Sequence, residues 1–88
     1  MNIAFEASFA RDLKRVHDKQ LLQRVRQVIA GIKAAPDLSA LPGLQKMQGY
    51  DTFYRIRLGD YRIGIEVVAK QVILVRLLHR KDIYRYFP

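Results

Sequence analysis

Apolar residues follow two different periods along the chain, and the change of period divides it into two halves. In the first half they recur at helical spacing, most clearly at Leu22, Val25, Ile29 and Ile32. In the second half they alternate with polar residues, as in "YRIRLGDYRIGIEV", like the residues of a strand. The pattern therefore predicts helices followed by a sheet, which is typical of an α+β domain.

Capping residues and a proline set the bounds of the first elements. "MNIAFEA" predicts a short strand, Ser8 is predicted to cap a short helix, and Asp18 to cap a second helix. Pro36 ends that second helix, because the residue before a proline is pushed out of the α region. The stretch "PDLSALPGLQKMQGYD" that follows contains two prolines and two glycines and is predicted to be a loop.

Two short turns divide the second half into three strands. Gly59 and Asp60 form the first turn, and glycine at the first loop position favours a type II′ hairpin. Ala69 and Lys70 form the second. The next run, "QVILVRLL", is apolar on both sides apart from Arg76, which predicts a central, doubly buried strand. We expect the 88 residues to form a single domain. Its helical hairpin packs on a three- to four-stranded, largely antiparallel sheet, and a short helix or coil ends the chain.

The balance of charge points to an anionic partner. Sixteen Lys and Arg against eight Asp and Glu give a net charge of +8, and basic residues lie in both halves of the chain. Such an excess favours nucleic acid, an acidic protein segment or an anionic membrane surface. The chain has no cysteine, no metal-ligand spacing and no phosphate-binding glycine loop, so we expect no metal or cofactor. It also lacks a signal peptide and an apolar run long enough to cross a membrane, which predicts a cytoplasmic protein.

Three arginines lie on one face of the predicted hairpin. Arg55, Arg57 and Arg62 occupy the positions that point away from the apolar residues. Cross-strand neighbours lie about 5 Å apart, so these like charges repel one another. Because a guanidinium group binds two phosphate oxygens at once, the arrangement favours a phosphate-rich ligand. The alternative is a solvated sheet face that long arginine side chains cover.

The C-terminal stretch "RLLHRKDIYRYF" adds groups with different chemistry. His79 can transfer a proton near neutral pH, and it follows the last strand with Arg80 beside it. Tyr84 can stack on a base or donate a hydrogen bond to a phosphate. His17 is interpreted as structural. Phe53 is the only aromatic residue that the alternation places on the basic face, which weakens the alternative of a non-catalytic RNA-binding module.

The order of elements, the hairpin "YRIRLGDYRIGIEV" and the ending "RLLHRKDIYRYF" together resemble the RelE/ParE superfamily of toxins from type II toxin–antitoxin modules. The resemblance covers nearly the whole chain and implies two N-terminal helices on a twisted antiparallel sheet. For the RelE branch it implies an endoribonuclease that cuts messenger RNA on the ribosome. For the ParE branch it implies a DNA gyrase inhibitor without nuclease activity.

The resemblance also assigns roles to residues. The basic and tyrosine positions of RelE-like enzymes match Arg55, Arg57, Arg62, Arg80 and Tyr84, and a C-terminal proton-transfer histidine matches His79. Retention of this set favours the RelE branch, in which the RNA 2′-OH attacks the adjacent phosphate without a metal. The predicted catalytic residues are Arg57, Arg62, His79, Arg80 and Tyr84, and the predicted substrate-binding residues are Lys46, Arg55, Arg76 and Lys81. The implied partners are a cognate antitoxin, in a hetero-oligomer, and the ribosome with its messenger RNA.

Overall fold

The computed structural model describes every residue from Met1 to Pro88 and contains a five-stranded sheet in the order β1-β5-β4-β3-β2. The elements are β1 (Asn2–Phe5), α1 (Ala7–Lys14), α2 (Lys19–Ala34), a 3-10 turn (Leu38–Ala40), β2 (Leu44–Lys46), β3 (Phe53–Leu58), β4 (Tyr61–Val68), β5 (Gln71–His79) and α3 (Ile83–Tyr86). Strand β1 runs parallel to β5, and every other pair is antiparallel. The α+β class and the helical hairpin are confirmed.

The start of one helix was predicted correctly and that of the other was not. Asp18 caps α2 by accepting hydrogen bonds from the backbone N–H groups of Gln20 and Leu21. Helix α1 begins at Ala7, and its N-cap is Glu6. Ser8 therefore lies inside the first turn, where its hydroxyl donates a hydrogen bond to the backbone carbonyl of Val75. The prediction of Ser8 as a cap was wrong, because the hydroxyl joins α1 to β5 instead.

The sheet has one more strand than the upper bound predicted, because part of the expected loop forms β2. This strand has only three residues and pairs with β3 at the edge of the sheet. Gly43 precedes it with a φ of 73°, and its carbonyl accepts a hydrogen bond from the N–H of Arg57. A strand this short has too few positions to show an alternating pattern. Strand β5 is bonded on both sides, as expected, but β4 is the middle strand.

The main core lies between the sheet and the two long helices. The apolar residues of the alternating pattern, among them Ile56, Ile63 and Ile65, are buried against Phe9 of α1 and Val25 of α2. The Gly59–Asp60 turn joins β3 to β4 as predicted, with a positive φ of 61° at Gly59. The face of the sheet that packs against α1 and α2, which we call the helix side, contains most of the buried hydrophobic residues.

The other face of the sheet is partly covered by the end of the chain. Met47, Ile83 and Phe87 form a second buried cluster there, and Phe53 packs against it. A Cβ at Gly64 would stand 2.7 Å from the ring of Phe87, so only glycine lets the ring approach the strand so closely. The C-terminal segment therefore covers one part of this face and leaves the part nearest the β3–β4 turn open.

A β-bulge in β5 changes which residues share a face. Gly64 pairs with Arg76 and Ile65 with Leu74, so Val75 is an extra residue without a partner across the ladder. Because side chains alternate, one extra residue moves every later residue of β5 to the opposite face from the one that an unbroken alternation would give it.

Helix α1 contacts the bulged part of β5, which lies beyond the last residue that pairs with β1. The carboxylate of Asp12 accepts the N–H of Leu77 at 2.9 Å and both Nε and Nη2 of Arg76, at 2.7 and 3.1 Å. Asp12 is only 8% exposed and is the one charged residue in the buried set. The backbone N–H of Leu77, which lies beyond the last residue of β5 that pairs with β1, is therefore satisfied by a side chain.

Candidate nucleic-acid interface

The three hairpin arginines lie together on the face of the sheet that the long helices do not cover. Arg57 and Arg62 are direct partners across β3 and β4, and Arg55 is paired with Gly64. Their partners in the alternation, including Ile56 and Ile63, are buried on the helix side. The register thus places the three arginine side chains on the face that points away from the apolar residues, as predicted. We call the open surface formed by Arg55, Arg57 and Arg62 the arginine face.

A polar cavity of about 370 Å³ opens on the arginine face. It is lined by all three arginines together with Gly43, Leu44 and Gln45. The side-chain oxygen of Gln45 accepts a hydrogen bond of 2.7 Å from Nη2 of Arg55, which orients that guanidinium group. The sequence pattern does not indicate Gln45, because it predicts a loop where β2 forms. The cavity offers several charged N–H donors to an anionic ligand.

The electrostatic environment of Arg62 shows that this positive charge is not balanced. Burial lowers the pKa of Arg62, and the charges of Arg57, Arg55 and Arg80 lower it further, against one opposing contribution from Asp60. An arginine remains protonated at neutral pH despite such a shift, so the group stays a cation in an unfavourable setting. An anion bound here would relieve that repulsion. The arrangement is therefore suited to hold a phosphate group.

Backbone contacts hold Arg62 at the end of the hairpin. Its Nη1 donates to the carbonyls of Gly59 and Tyr61, at 2.7 and 2.8 Å. Arg80 reaches the same turn, since its backbone N–H donates to the carbonyl of Asp60 at 2.7 Å and its Nε lies 4.0 Å from the Asp60 carboxylate. Arg62 and Arg80, two of the three predicted catalytic arginines, thus lie at one end of the arginine face.

Aromatic side chains also border this face, in contrast to the prediction that Phe53 is the only one. The guanidinium carbon of Arg55 lies 4.7 Å from the centroid of the Tyr84 ring, and Tyr84 is 65% exposed. Tyr50 is 46% exposed and makes an edge contact with Phe53. The prediction was incomplete because α3 and the loop before β3 carry these rings to the face from distant positions. Exposed rings beside cations suit the stacking of single-stranded bases.

His79 does not lie on the arginine face. It is paired with Tyr61, with 5.5 Å between the ring centroids, and Leu78 is the residue opposite Arg62. The bulge is the physical reason, because an unbroken alternation would place His79 on the same face as Arg62. Nδ1 of His79 accepts the backbone N–H of Lys81 at 3.2 Å. His79 therefore lies apart from the arginine face, and its role in proton transfer stays a prediction.

The remaining predicted residues lie apart from the cluster. The bonds from Asp12 raise the pKa of Arg76 and occupy its guanidinium group, so substrate binding by Arg76 is not supported. Lys46 lies in β2 rather than in a loop, is paired with Tyr54 of the helix side, and has its Nζ 3.8 Å from the Asp51 carboxylate. Lys81 is exposed beyond the end of β5.

The structure contains no cluster of three histidine, cysteine, aspartate or glutamate residues that is arranged to bind a metal ion. None of its helices has both the length and the apolar character needed to span a membrane.

The chain is similar in sequence and in structure to several known proteins. A family model described as the ParE toxin of the type II toxin–antitoxin system parDE matches residues 3–84. Toxin RelE3 of Methanocaldococcus jannaschii is 42% identical over 89 residues, which cover 100% of both chains. A RelB–RelE antitoxin–toxin complex from Methanococcus jannaschii contains a chain with 40% identity and a TM-score of 0.82, covering 97% of this chain and 99% of that one. An archaeal RelE–RelB complex from Pyrococcus horikoshii, at 22% identity, a TM-score of 0.72 and coverage of 90% and 93%, shares the fold.

Proposed function

The chain belongs to the RelE/ParE superfamily of toxins from type II toxin–antitoxin systems, and we propose that it cuts messenger RNA bound to the arginine face. The observation that carries the proposal is the cavity that Arg55, Arg57 and Arg62 line together, which has no carboxylate in its lining. The pKa of Arg62, lowered by burial and by neighbouring arginines, supports it. A cluster that is unfavourable by itself gains the most from a ligand of opposite charge. The ribosome is the proposed setting, because it presents a messenger in extended form, in the cytoplasm.

The proposed reaction uses the nucleophile of the RNA itself. The 2′-oxygen attacks the adjacent phosphorus as its proton leaves, and the bond to the 5′-oxygen breaks. The products are a 2′,3′-cyclic phosphate and a 5′-hydroxyl, which receives a proton. In the transition state, while the new bond to the 2′-oxygen forms, the phosphate group gains negative charge. Arg62 and Arg80, which meet at the β3–β4 turn, stabilise that charge, an electrostatic effect that is often the largest catalytic contribution.

The other residues of the site position the substrate. Arg57 and Arg55 bind the flanking phosphates within the cavity that they share with Arg62. Tyr84 stacks on a base, and its ring lies against the guanidinium group of Arg55 at the edge of the arginine cluster. Arginine is too basic to remove a proton, and His79 lies on the helix side of the sheet. We therefore propose Tyr84 as the proton-transfer residue.

A second candidate function is inhibition of DNA gyrase without nuclease activity. It is favoured by the family model, which describes ParE toxins, and by the position of His79 on the helix side. The non-catalytic RNA-binding module remains a third candidate, which the exposed Tyr50 and Tyr84 rings support. Both alternatives use the same charged face and differ in what happens to the bound polymer.

Brief induction of the toxin in cells, followed by mapping of messenger 5′-ends and measurement of plasmid supercoiling, separates the three functions. We expect new 5′-hydroxyl ends inside translated regions and unchanged supercoiling. Broken or relaxed DNA with intact messengers would support gyrase inhibition, and intact messengers and DNA would support binding alone. The RelB–RelE complexes among the relatives support a further proposal, that an antitoxin binds this chain in a hetero-oligomer and silences it.

A further inference from the structure

The polar cavity of the arginine face contains one neutral side chain that is able to form hydrogen bonds, Gln45. The lining otherwise consists of the three arginines and of two residues without polar side-chain atoms, Gly43 and Leu44. Its volume of about 370 Å³ falls within the usual range of sites for small ligands, roughly 300–1,000 Å³. Phosphate groups are the same in every nucleotide, so arginines that bind them carry no information about sequence. That leaves Gln45 as the lining residue for contact with a base.

Strand pairing holds Gln45 against Arg55. The two residues are direct partners across β2 and β3, so their side chains share a face of the sheet. Oε1 of Gln45 accepts the 2.7 Å hydrogen bond from Nη2 of Arg55. The ring of Tyr84 lies over the same guanidinium group, with 4.7 Å between its centroid and Cζ of Arg55. Gln45 is therefore bonded to a guanidinium group that a second side chain also holds in place.

This hydrogen bond determines which end of the Gln45 amide faces a ligand. A guanidinium group donates hydrogen bonds and accepts none, so an amide turned the other way round would direct N–H groups at N–H groups. The amide oxygen is thus kept on Arg55, and the two N–H groups of Nε2 form no hydrogen bond with the chain. In this cavity, Gln45 offers hydrogen-bond donors to a ligand.

A donor at this position separates the four bases into two classes. Guanine and uracil carry a carbonyl oxygen, O6 or O4, where adenine and cytosine carry an amino group, N6 or N4. We infer that Gln45 donates to this carbonyl oxygen and thereby selects a keto base, guanine or uracil, at the nucleotide whose phosphate binds Arg55. An amino base would place its N–H groups against those of Gln45 and would leave both unpaired. The inference rests on the proposed function in one respect, that the ligand of the arginine face is single-stranded RNA.

Two short 2′-O-methyl RNA oligomers test the inference without cleavage, because the methyl group blocks the oxygen that would attack the phosphate. Oligouridine and oligocytidine are a matched pair, since their bases differ only along one edge of the ring. We expect the full chain to bind the uridine oligomer about tenfold more tightly than the cytidine oligomer in fluorescence anisotropy titrations. Gln45→Ala should reduce this ratio to less than about threefold. Gln45→Glu, which offers only acceptors, should favour cytidine.

Gln48→Ala is the matched control, because Gln48 is an exposed glutamine between β2 and β3 that does not line the cavity. It should keep the wild-type ratio. A purely structural role of Gln45 would weaken the binding of both oligomers equally, so the ratio between them reports contact with the base. Equal binding of the two oligomers by the wild-type chain, no measurable binding of either, or a wild-type ratio in Gln45→Ala or Gln45→Glu would overturn the inference.

Mapping of messenger 5′-ends provides the second readout. We expect the cuts of the wild type to be enriched about tenfold beside guanine and uracil, and Gln45→Ala to lose this enrichment. If the oligomer ratios change as expected but no chain cleaves a messenger, the proposed nuclease function fails while base selection by Gln45 stands. If messengers are cut but the wild type binds the two oligomers equally, the nuclease function stands and the inference is wrong.

Discussion

Arg62 and Arg76 lie on neighbouring strands, but their surroundings shift their pKa values in opposite directions. Asp12 binds the guanidinium group of Arg76 through two oxygens and raises its pKa. Arg62 has other arginines as its neighbours, and its pKa is lowered. The chain thus balances one charge with a buried carboxylate and leaves the other available. The difference separates an arginine that holds the fold from one that is free to bind a ligand.

The same contrast has a consequence for stability. Like charges opposite each other on neighbouring strands destabilise a sheet, whereas a hydrogen-bonded buried pair is costly to break. For a base such as Arg62, a pKa lowered by folding means that its charge opposes folding at neutral pH. We therefore expect mutations on the two strands to affect different properties, and the following changes test that division in order of decreasing effect.

Asp12→Ala should have the largest effect, a loss of about 3 kcal/mol of unfolding free energy. The change leaves the charge of Arg76 unpaired and the N–H of Leu77 without an acceptor. Urea unfolding followed by circular dichroism measures the loss. Asp18→Ala is a matched control, because Asp18 also accepts two backbone N–H groups but is exposed, and its loss should cost about 1 kcal/mol. Equal costs for the two changes would show that Asp12 is only a surface residue.

Arg62→Ala should lower messenger cleavage by about 10²–10³-fold, the usual cost of removing a group that stabilises transition-state charge. Its thermal midpoint should not fall, because the substitution also removes repulsion from Arg57. Single-turnover cleavage of a programmed ribosome and thermal unfolding measure the two properties. Arg76→Ala should show the reverse, a lower midpoint with near-normal cleavage in the fraction that is folded. A fall in stability with Arg62→Ala would assign that residue to the fold.

Tyr84→Ala should reduce RNA binding by a factor of about ten, since stacking of one base on an aromatic ring contributes about 1–3 kcal/mol. Tyr84→Phe keeps the ring beside Arg55 and removes the hydroxyl. We expect Phe to preserve binding but to slow cleavage, which a comparison of affinity with single-turnover rate would reveal. Wild-type cleavage by Tyr84→Phe would exclude the hydroxyl from proton transfer and leave stacking as the role of Tyr84.

Local pattern was sufficient to predict the hairpin and its three arginines. Alternation over β3 and β4 assigns every residue to a face, and the Gly59–Asp60 turn sets the register between them. The N-cap of α2 at Asp18 also depends only on residues near it in the sequence. Features that depend on distant residues were not predicted. Strand β2 forms only because β3 lies beside it, and Tyr84 reaches Arg55 only through the packing of α3 on the sheet.

The bulge is the clearest limit of the sequence pattern. Nothing in "QVILVRLLH" distinguishes Val75 as an extra residue, because the run is apolar on both sides. The contacts that stabilise it come from α1, where Asp12 and Ser8 form hydrogen bonds with the bulged strand. A carboxylate inside an amphipathic helix is an ordinary surface residue by sequence. Only the tertiary structure shows that Asp12 is buried, that it binds β5 just after Val75, and that the orientation of the strand is reversed there.

His79→Ala should have the smallest effect and tests that reversal directly. Because the His79 ring lies against Tyr61 on the helix side, its loss should change cleavage less than about threefold and cost at most about 1 kcal/mol from the lost ring contact. A rate profile between pH 5 and 8 should keep the same shape, since a histidine outside the reaction contributes no ionisation to it. Cleavage lowered a hundredfold, with the loss of an ionisation near neutral pH, would place His79 in the reaction. The end of β5 would then have to shift by one residue when RNA binds, and Asp12 would be the contact that such a shift must break.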